Sequence, residues 1–191
     1  LPPLAKFSAP FGVVEAAAPA LPVALRHVAD AGLRGETVAR AANLSAATPG
    51  EISRWLHTLM RHQDEASLFA ALPAARPRAL AMPEPAQGED AEVVGIPLDG
   101  PGLHVVEIES RLLGTALLDP PAPMFVAAAA LVTNLAVHFK WAREGSLVWV
   151  TTLDRATPVA GAAIQIADCT GAVLAEAKTD AQGIARIASL P

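Results

Sequence analysis

A helical period stands out in the first third of the chain. Ile52, Trp55, Leu56, Leu59 and Met60 stand at i, i+3, i+4, i+7 and i+8, which is one apolar stripe on a helix. Ser53, Arg54, His57, Thr58 and Arg61 take the other faces. Upstream, Thr48 and Glu51 have the spacing of a capping box, and Pro49 stands at the first helical position, where its missing N–H costs nothing. The pattern predicts a helix over 49–62 and a shorter helical piece from Glu65 to Leu72, stopped by Pro73.

Elsewhere the period is two. "LAKFSAPFGVVE" (4–15) and "ALPVALRHVA" (20–29) read as strands, with Leu21, Val23 and Leu25 alternating with Pro22, Ala24 and Arg26. Pro22 cannot donate to a ladder, so it suits an edge or a strand start. "EVVGIPL" (92–98) and "LHVVEIES" (103–110) flank a tight turn at Asp99–Gly102. In the second of these, Val106 and Ile108 share a face with His104. Between 72 and 90, Pro73, Pro77, Pro83 and Pro85 predict an irregular loop. The proline-rich segment 114–123, "GTALLDPPAP", reads as a stiff connector and the boundary between two domains. Beyond it Leu135, Val137, Phe139 and Trp141 alternate with Ala136, His138, Lys140 and Ala142, a half-buried strand. "LVWVTTL", "AAIQIAD", "AVLAEAK" and "IARI" follow, separated by turn residues. Short strands recurring at this spacing predict antiparallel sandwiches rather than a parallel sheet.

Composition narrows the reading. Of 191 residues, 52% are hydrophobic and 17% charged, which excludes a disordered tail. The net charge is −5 with no Lys/Arg cluster, which argues against a nucleic-acid partner. A single cysteine, Cys169, excludes an intrachain disulfide and a cysteine-built zinc site. The most apolar run, Met124 to Val137, is broken by Thr133 and Asn134 and falls short of the roughly 20 apolar residues of a helical span, so no membrane contact is expected of this segment itself. With aromatic residues at only 4%, Trp55, Trp141 and Trp149 are expected as the main core anchors.

The candidate chemistry is sparse. His57 and His62 are five apart and do not stack on one helix face, H-E-x-x-H is absent, and His27, His104 and His138 lie far apart in sequence. Glu107 and Glu109 alternate along a strand and read as a solvated face. Asp99, Asp119, Asp154, Asp168 and Asp180 sit in or beside turns, where Asp mimics a backbone turn. "TDAQG" offers at most one calcium ligand. Ser146 is not in a nucleophile elbow, and Cys169 has no cationic neighbour in sequence. No glycine-rich phosphate loop occurs. No residue is assigned a catalytic, cofactor-binding or metal-ligating role, and no cofactor is expected.

Three pieces of the last third carry a resemblance: "NLAVHFKWAREGSLVWVTTLD" (134–154), "TPVAGAAIQIADCTGAVL" (157–174) and "TDAQGIARI" (179–187). Together they resemble the macroglobulin-domain region of bacterial alpha-2-macroglobulins. "EVVGIPLDGPGLHVVEIESRLLG" and "LAKFSAPFGVVE" are similar to the preceding macroglobulin domain of that family. The resemblance implies an all-β fold: tandem immunoglobulin-like antiparallel sandwiches, one over 1–118 carrying helix 49–62, one over 122–191 that lacks its last strands. It implies a structural part of a broad-spectrum protease trap, with no enzymatic activity of its own. Its partners would be other macroglobulin domains of the same parent and the proteases that the whole protein traps. The parent would be periplasmic and lipid-anchored to the inner membrane. The family's thioester motif C-x-E-Q is absent, since Thr170, Gly171 and Ala172 follow Cys169, so no reactive role carries over. The rival readings are a stalk or adhesin-like surface module and a hydrolase.

Overall fold

A computed structural model describes residues 2–27, 37–72, 76–80 and 91–190. The strands are β1 (Leu4–Phe7), β2 (Phe11–Glu15), β3 (Ala20–Arg26), β4 (Thr37–Asn43), β5 (Arg78–Leu80), β6 (Ala91–Pro97), β7 (Gly102–Ser110), β8 (Met124–Thr133), β9 (Leu135–Lys140), β10 (Ser146–Thr152), β11 (Ala163–Ala167), β12 (Val173–Lys178) and β13 (Ile184–Ile187). The helices are α1 (Pro49–Met60), α2 (Leu68–Ala71) and α3 (Arg111–Leu117). The chain divides into two compact units: residues 1–46 with 55–132, and residues 47–54 with 133–191.

In the first unit, sheet β1-β3-β6 faces sheet β2-β8-β7-β4-β5, and every pairing assigned within them is antiparallel. The alternation of the sequence puts one row from each sheet into the space between. Phe7, Val23, Leu25, Val94 and Ile96 come from the smaller sheet; Ala39, Ala41, Val106, Ile108, Ala128, Ala130 and Val132 come from the larger. The opposite row of β7 is buried as well: Leu103, Val105 and Glu107 are nearly or fully covered. Trp55 and Leu59 of α1 and Leu68 and Phe69 of α2 are buried too, and the Trp55 and Phe69 rings meet edge-on at 5.7 Å. Since α2 is bonded to Glu107, helix lies against the outer face of this sheet, so the unit has a helical layer rather than a bare insertion.

The capping box at α1 is present. Thr48 N–H donates to Glu51 Oε2 at 2.7 Å, and Glu51 N–H to Thr48 Oγ1 at 3.3 Å. The helix ends at Met60, two residues before the expected 62.

The second unit stacks sheet β13-β10-β9 on the hairpin β11–β12. Val148, Val150 and Ala185 form its buried centre, with Val159, Ala162, Ile164, Ile166, Ala177 and Ile187 against them. The β12–β13 turn needs Gly183, which has φ +74°; a Cβ there would also run into the Val150 carbonyl oxygen.

Several expectations are corrected. The division falls at 132/133, not between 118 and 122. β8 pairs with β7 from Ser110↔Met124 to Gly102↔Val132, so these residues are sheet of the first unit. The 114–123 segment is therefore no connector between units. It holds most of α3, capped by Ser110, whose hydroxyl accepts from Leu113 N–H, and it packs closely on itself: a Cβ at Gly114 would overlap the Ala122 carbonyl oxygen. "LAKFSAPFGVVE" is two strands in different sheets, not one. Pro22 lies in the central strand of its sheet, but β1 pairs only as far as Phe7↔Val23, so on that side Pro22 has no ladder to serve. Residues 78–80 of the expected loop form an edge strand on β4, while 73–75 and 81–90 of that loop, like 28–29 of the expected third strand, lie outside the described residues. Trp141 is 67% and Trp149 39% exposed, so of the three tryptophans only Trp55 anchors a core; Trp149 instead packs on His138 on the outer face of its sheet.

Candidate functional site

Three of the five histidines are held by their own surroundings, while His57 lies exposed on α1. The Nε2 of His62 lies 3.0 Å from the Phe125 carbonyl oxygen, and the Nε2 of buried His104 lies 3.0 Å from that of Gly100 and 3.4 Å from Asn43 Nδ2. His138 stacks on Trp149 with centroids 5.4 Å apart. Among the described residues no three His, Cys, Asp or Glu side chains converge as a metal site would require.

Asp168 and Asp180 hold their own loops, whereas Asp99 pairs with Arg78 of β5. Asp168 Oδ1 accepts from Thr170 Oγ1 at 2.6 Å, Thr170 N–H at 2.8 Å and Ala172 N–H at 3.0 Å. The Thr170 hydroxyl is the chief cause that holds its carboxyl below the usual carboxylate range, helped by the backbone N–H groups. Asp154 is lowered likewise, chiefly by a hydrogen bond from the Thr152 side chain, and Glu51 chiefly by the Thr48 N–H of the capping box. In "TDAQG", Asp180 Oδ1 accepts from the N–H groups of Gln182 and Ile184, both at 2.9 Å, so this oxygen closes the turn. Cys169 is an exposed free thiol, and its carbonyl accepts from Ser53 Oγ at 3.0 Å.

The feature that sequence reasoning missed is Glu107. It is fully buried, not solvated. Its Oε2 accepts from Leu68 N–H at 2.5 Å, its Oε1 accepts from Ser67 Oγ at 3.0 Å, and Arg40 Nη1 stands 3.7 Å from Oε1. Arg40 also pairs with Glu109 at 2.7 Å. A buried carboxylate survives only when paired and hydrogen-bonded, and this one ties the start of α2 to the middle of β7. The alternation of charges along β7 misled because it registers period and not what covers each face. The sequence did offer one hint: Ser67 stands directly before an apolar run, as an N-cap would.

A second feature is an uncovered surface. Leu135, Val137 and Phe139 on β9 are 43%, 60% and 48% exposed, and β9 is an edge of its sheet. Edges and apolar patches of this kind are contact surfaces in multidomain proteins. What the geometry offers overall is two packed sheet units, a buried polar clasp and an apolar edge.

Residues 132–191 match the family described as bacterial alpha-2-macroglobulin MG3 domain. No curated protein matches. Over 99% of its length the chain superposes on native alpha-2-macroglobulin from Escherichia coli spanning domains MG0-NIE-MG1, with a TM-score of 0.64 and 16% identity, covering 58% of that chain. It superposes over 98% on the E. coli protein spanning NIE-MG1, with a TM-score of 0.60 and 16% identity, covering 88% of it. A Salmonella alpha-2-macroglobulin mutant matches over 99% of this chain at a TM-score of 0.59 and 16% identity, and this chain spans only 10% of it. At such identity these likenesses speak for the fold alone: all-β and immunoglobulin-like. Residues 132–191 are thus similar to a bacterial alpha-2-macroglobulin domain, on a chain whose fold resembles that of macroglobulin-containing structures.

Proposed function

We propose that this chain is a structural segment of a protease-trapping protein, serving as frame rather than as catalyst. The observation that carries the reading is the match of residues 132–191 to a bacterial alpha-2-macroglobulin domain, on a chain whose fold follows the E. coli protein along nearly its whole length. The buried clasp and the two packed cores support it, since a frame must keep its shape under load. Its partners are neighbouring macroglobulin domains of the same longer protein, and through that protein the proteases it encloses. The longer protein is periplasmic and held to the inner membrane by a lipid.

The test uses the longer protein with a broad-specificity protease. Cleavage of a large protein substrate falls steeply at equimolar trap, while cleavage of a short peptide persists, because an enclosed protease still admits small molecules. Val150→Asp, which puts a charge in the core of the second unit, abolishes the protection. Equal cleavage of the large substrate with and without the longer protein, at any ratio, refutes the role. Recovery in the cytosolic fraction refutes the address.

A further inference from the structure

The first unit holds a slot between two open strand edges. A cavity of about 300 Å³ is walled by the four residues of β1, by Met124, Val126 and Ala127 of β8, and by Pro10 and Asp64. Successive residues of a strand point to opposite faces, so a space that touches four in a row lies along the edge of β1 and not on one face of it. β1 pairs with β3 alone, so its other edge has no strand. On the β8 side, Phe125 N–H donates to the Asp64 carbonyl at 2.7 Å, and His62 Nε2 stands 3.0 Å from the Phe125 carbonyl oxygen, so both polar groups of Phe125 turn away from β7. Ala129 N–H turns away likewise, to the Pro10 carbonyl at 2.8 Å. In an antiparallel ladder that orientation returns at every second residue, so the N–H and C=O of Ala127 turn the same way and open on the slot. Pro10 has no N–H to give Ala127, and among the described residues no turn or loop group bonds to it.

The slot also carries two opposite charges. Lys6 and Asp64 are both exposed, and among the described residues neither has an ion-pair partner. The wall between is apolar, made by Leu4, Phe7, Met124 and Val126. A fitting occupant therefore has a backbone amide, an apolar side chain, one positive end and one negative end. We propose that this slot binds a short apolar peptide with both termini free, taken up as one added rung between β1 and β8. Its central N–H and C=O pair with the C=O and N–H of Ala127, its side chain rests on Met124 and Val126, its ammonium meets Asp64 and its carboxylate meets Lys6. Phe125 and Ala129 are already bonded, which limits the rung to one residue, and the volume is at the lower end of ligand cavities, so the ligand is short. The proposal goes beyond the frame role and does not rest on it.

Calorimetric titration with the tripeptide Ala-Leu-Ala tests this on the longer protein, with the 191-residue chain in parallel. The peptide binds saturably with a Kd of about 1 mM or tighter, and hydrogen exchange slows around Ala127 when it is present. Gly-Gly-Gly binds about tenfold more weakly for want of the apolar side chain. Ala-Leu-Ala with an acetylated N-terminus and an amidated C-terminus is also about tenfold weaker. Lys6→Gln combined with Asp64→Asn, both at exposed side chains, removes that difference, so free and blocked peptides bind alike. No binding up to about 10 mM overturns the proposal. So does equal binding of free and blocked peptides to the wild-type protein, or a preference for the free peptide that survives in the double variant. Binding to the 191-residue chain but not to the longer protein overturns it too, since another part of that protein then fills the slot. Binding by a longer protein that inhibits no protease upholds the slot and refutes only the trap.

Discussion

Replacing Glu107 by alanine removes the acceptor for Leu68 N–H and Ser67 Oγ and empties a fully buried position. A hydrogen bond to a charged group contributes about 1.5–3 kcal/mol net, and an orphaned buried N–H costs about 1–3 kcal/mol. Breaking a buried ionic cluster usually costs about 3–5 kcal/mol. Arg40 keeps Glu109 at 2.7 Å and so is not stranded, which argues for the lower end. The expected loss is about 3 kcal/mol for the first unit, or a melting shift on the order of 10 °C. Because the chain has two units, a global signal mixes two transitions. Trp55 solves this. It is buried against Phe69 in the helical layer that Glu107 fastens, while Trp141 and Trp149 are exposed. In a Trp141→Phe, Trp149→Phe background, urea unfolding followed by the remaining indole reports this layer alone. Glu107→Gln keeps the shape and one acceptor oxygen and falls between, at about 1–2 kcal/mol. Ser67→Ala combined with Glu107→Gln is non-additive, since both act on one bond. An alanine variant within 0.5 kcal/mol of the parent, by the ~0.5 kcal/mol scatter expected of unconnected sites, refutes the clasp.

Four further outcomes follow from the same structure. Gly114→Ala drives a methyl group into the Ala122 carbonyl and lowers the first unit by about 1–3 kcal/mol, read by the same urea curve. Val150→Ala costs about 2 kcal/mol in the second unit, whereas Trp149→Ala, at a position 39% exposed, costs less, so the order of their melting points checks which residue anchors that core. Thr48→Ala removes the N-cap of α1 and costs about 1 kcal/mol, visible as fraying of 49–52 in hydrogen exchange. The carboxyls of Glu51, Asp154 and Asp168 are all lower in the fold than in the open chain, so their contribution is complete above the unfolded values. It is lost as pH falls from about 4 down through the folded values, and calorimetry should show the second unit weakening in that window.

The parts of this fold that local chemistry decides were legible. Thr48, Pro49 and Glu51 announce α1 because a capping box is complete within four residues. The rows Val106/Ile108 and Val148/Val150 are readable from alternation alone. What stayed hidden depends on partners distant in sequence. Glu107 looks wet until Ser67 and Leu68, some forty residues away, cover it. The unit boundary looked proline-marked because composition registers stiffness and not pairing; β8 is claimed by β7 through contacts that leave no local trace. Tryptophan size suggested a core role for Trp149, but its place on the outer row, opposite His138, decides its exposure.

The aspartate-closed turn between β11 and β12 has a consequence for how these two strands find their pairing. Asp168 binds amide hydrogens no more than four positions downstream, so this reversal carries its own template, while Asp180 does the same for a turn that passes from one sheet to the other. The bulge at Ile166/Ala167 is the one slip recorded between β11 and β12. Alignment information is thereby stored locally rather than in the assembled interior, and these ribbons can reach their proper phase before any opposing layer arrives to enclose them.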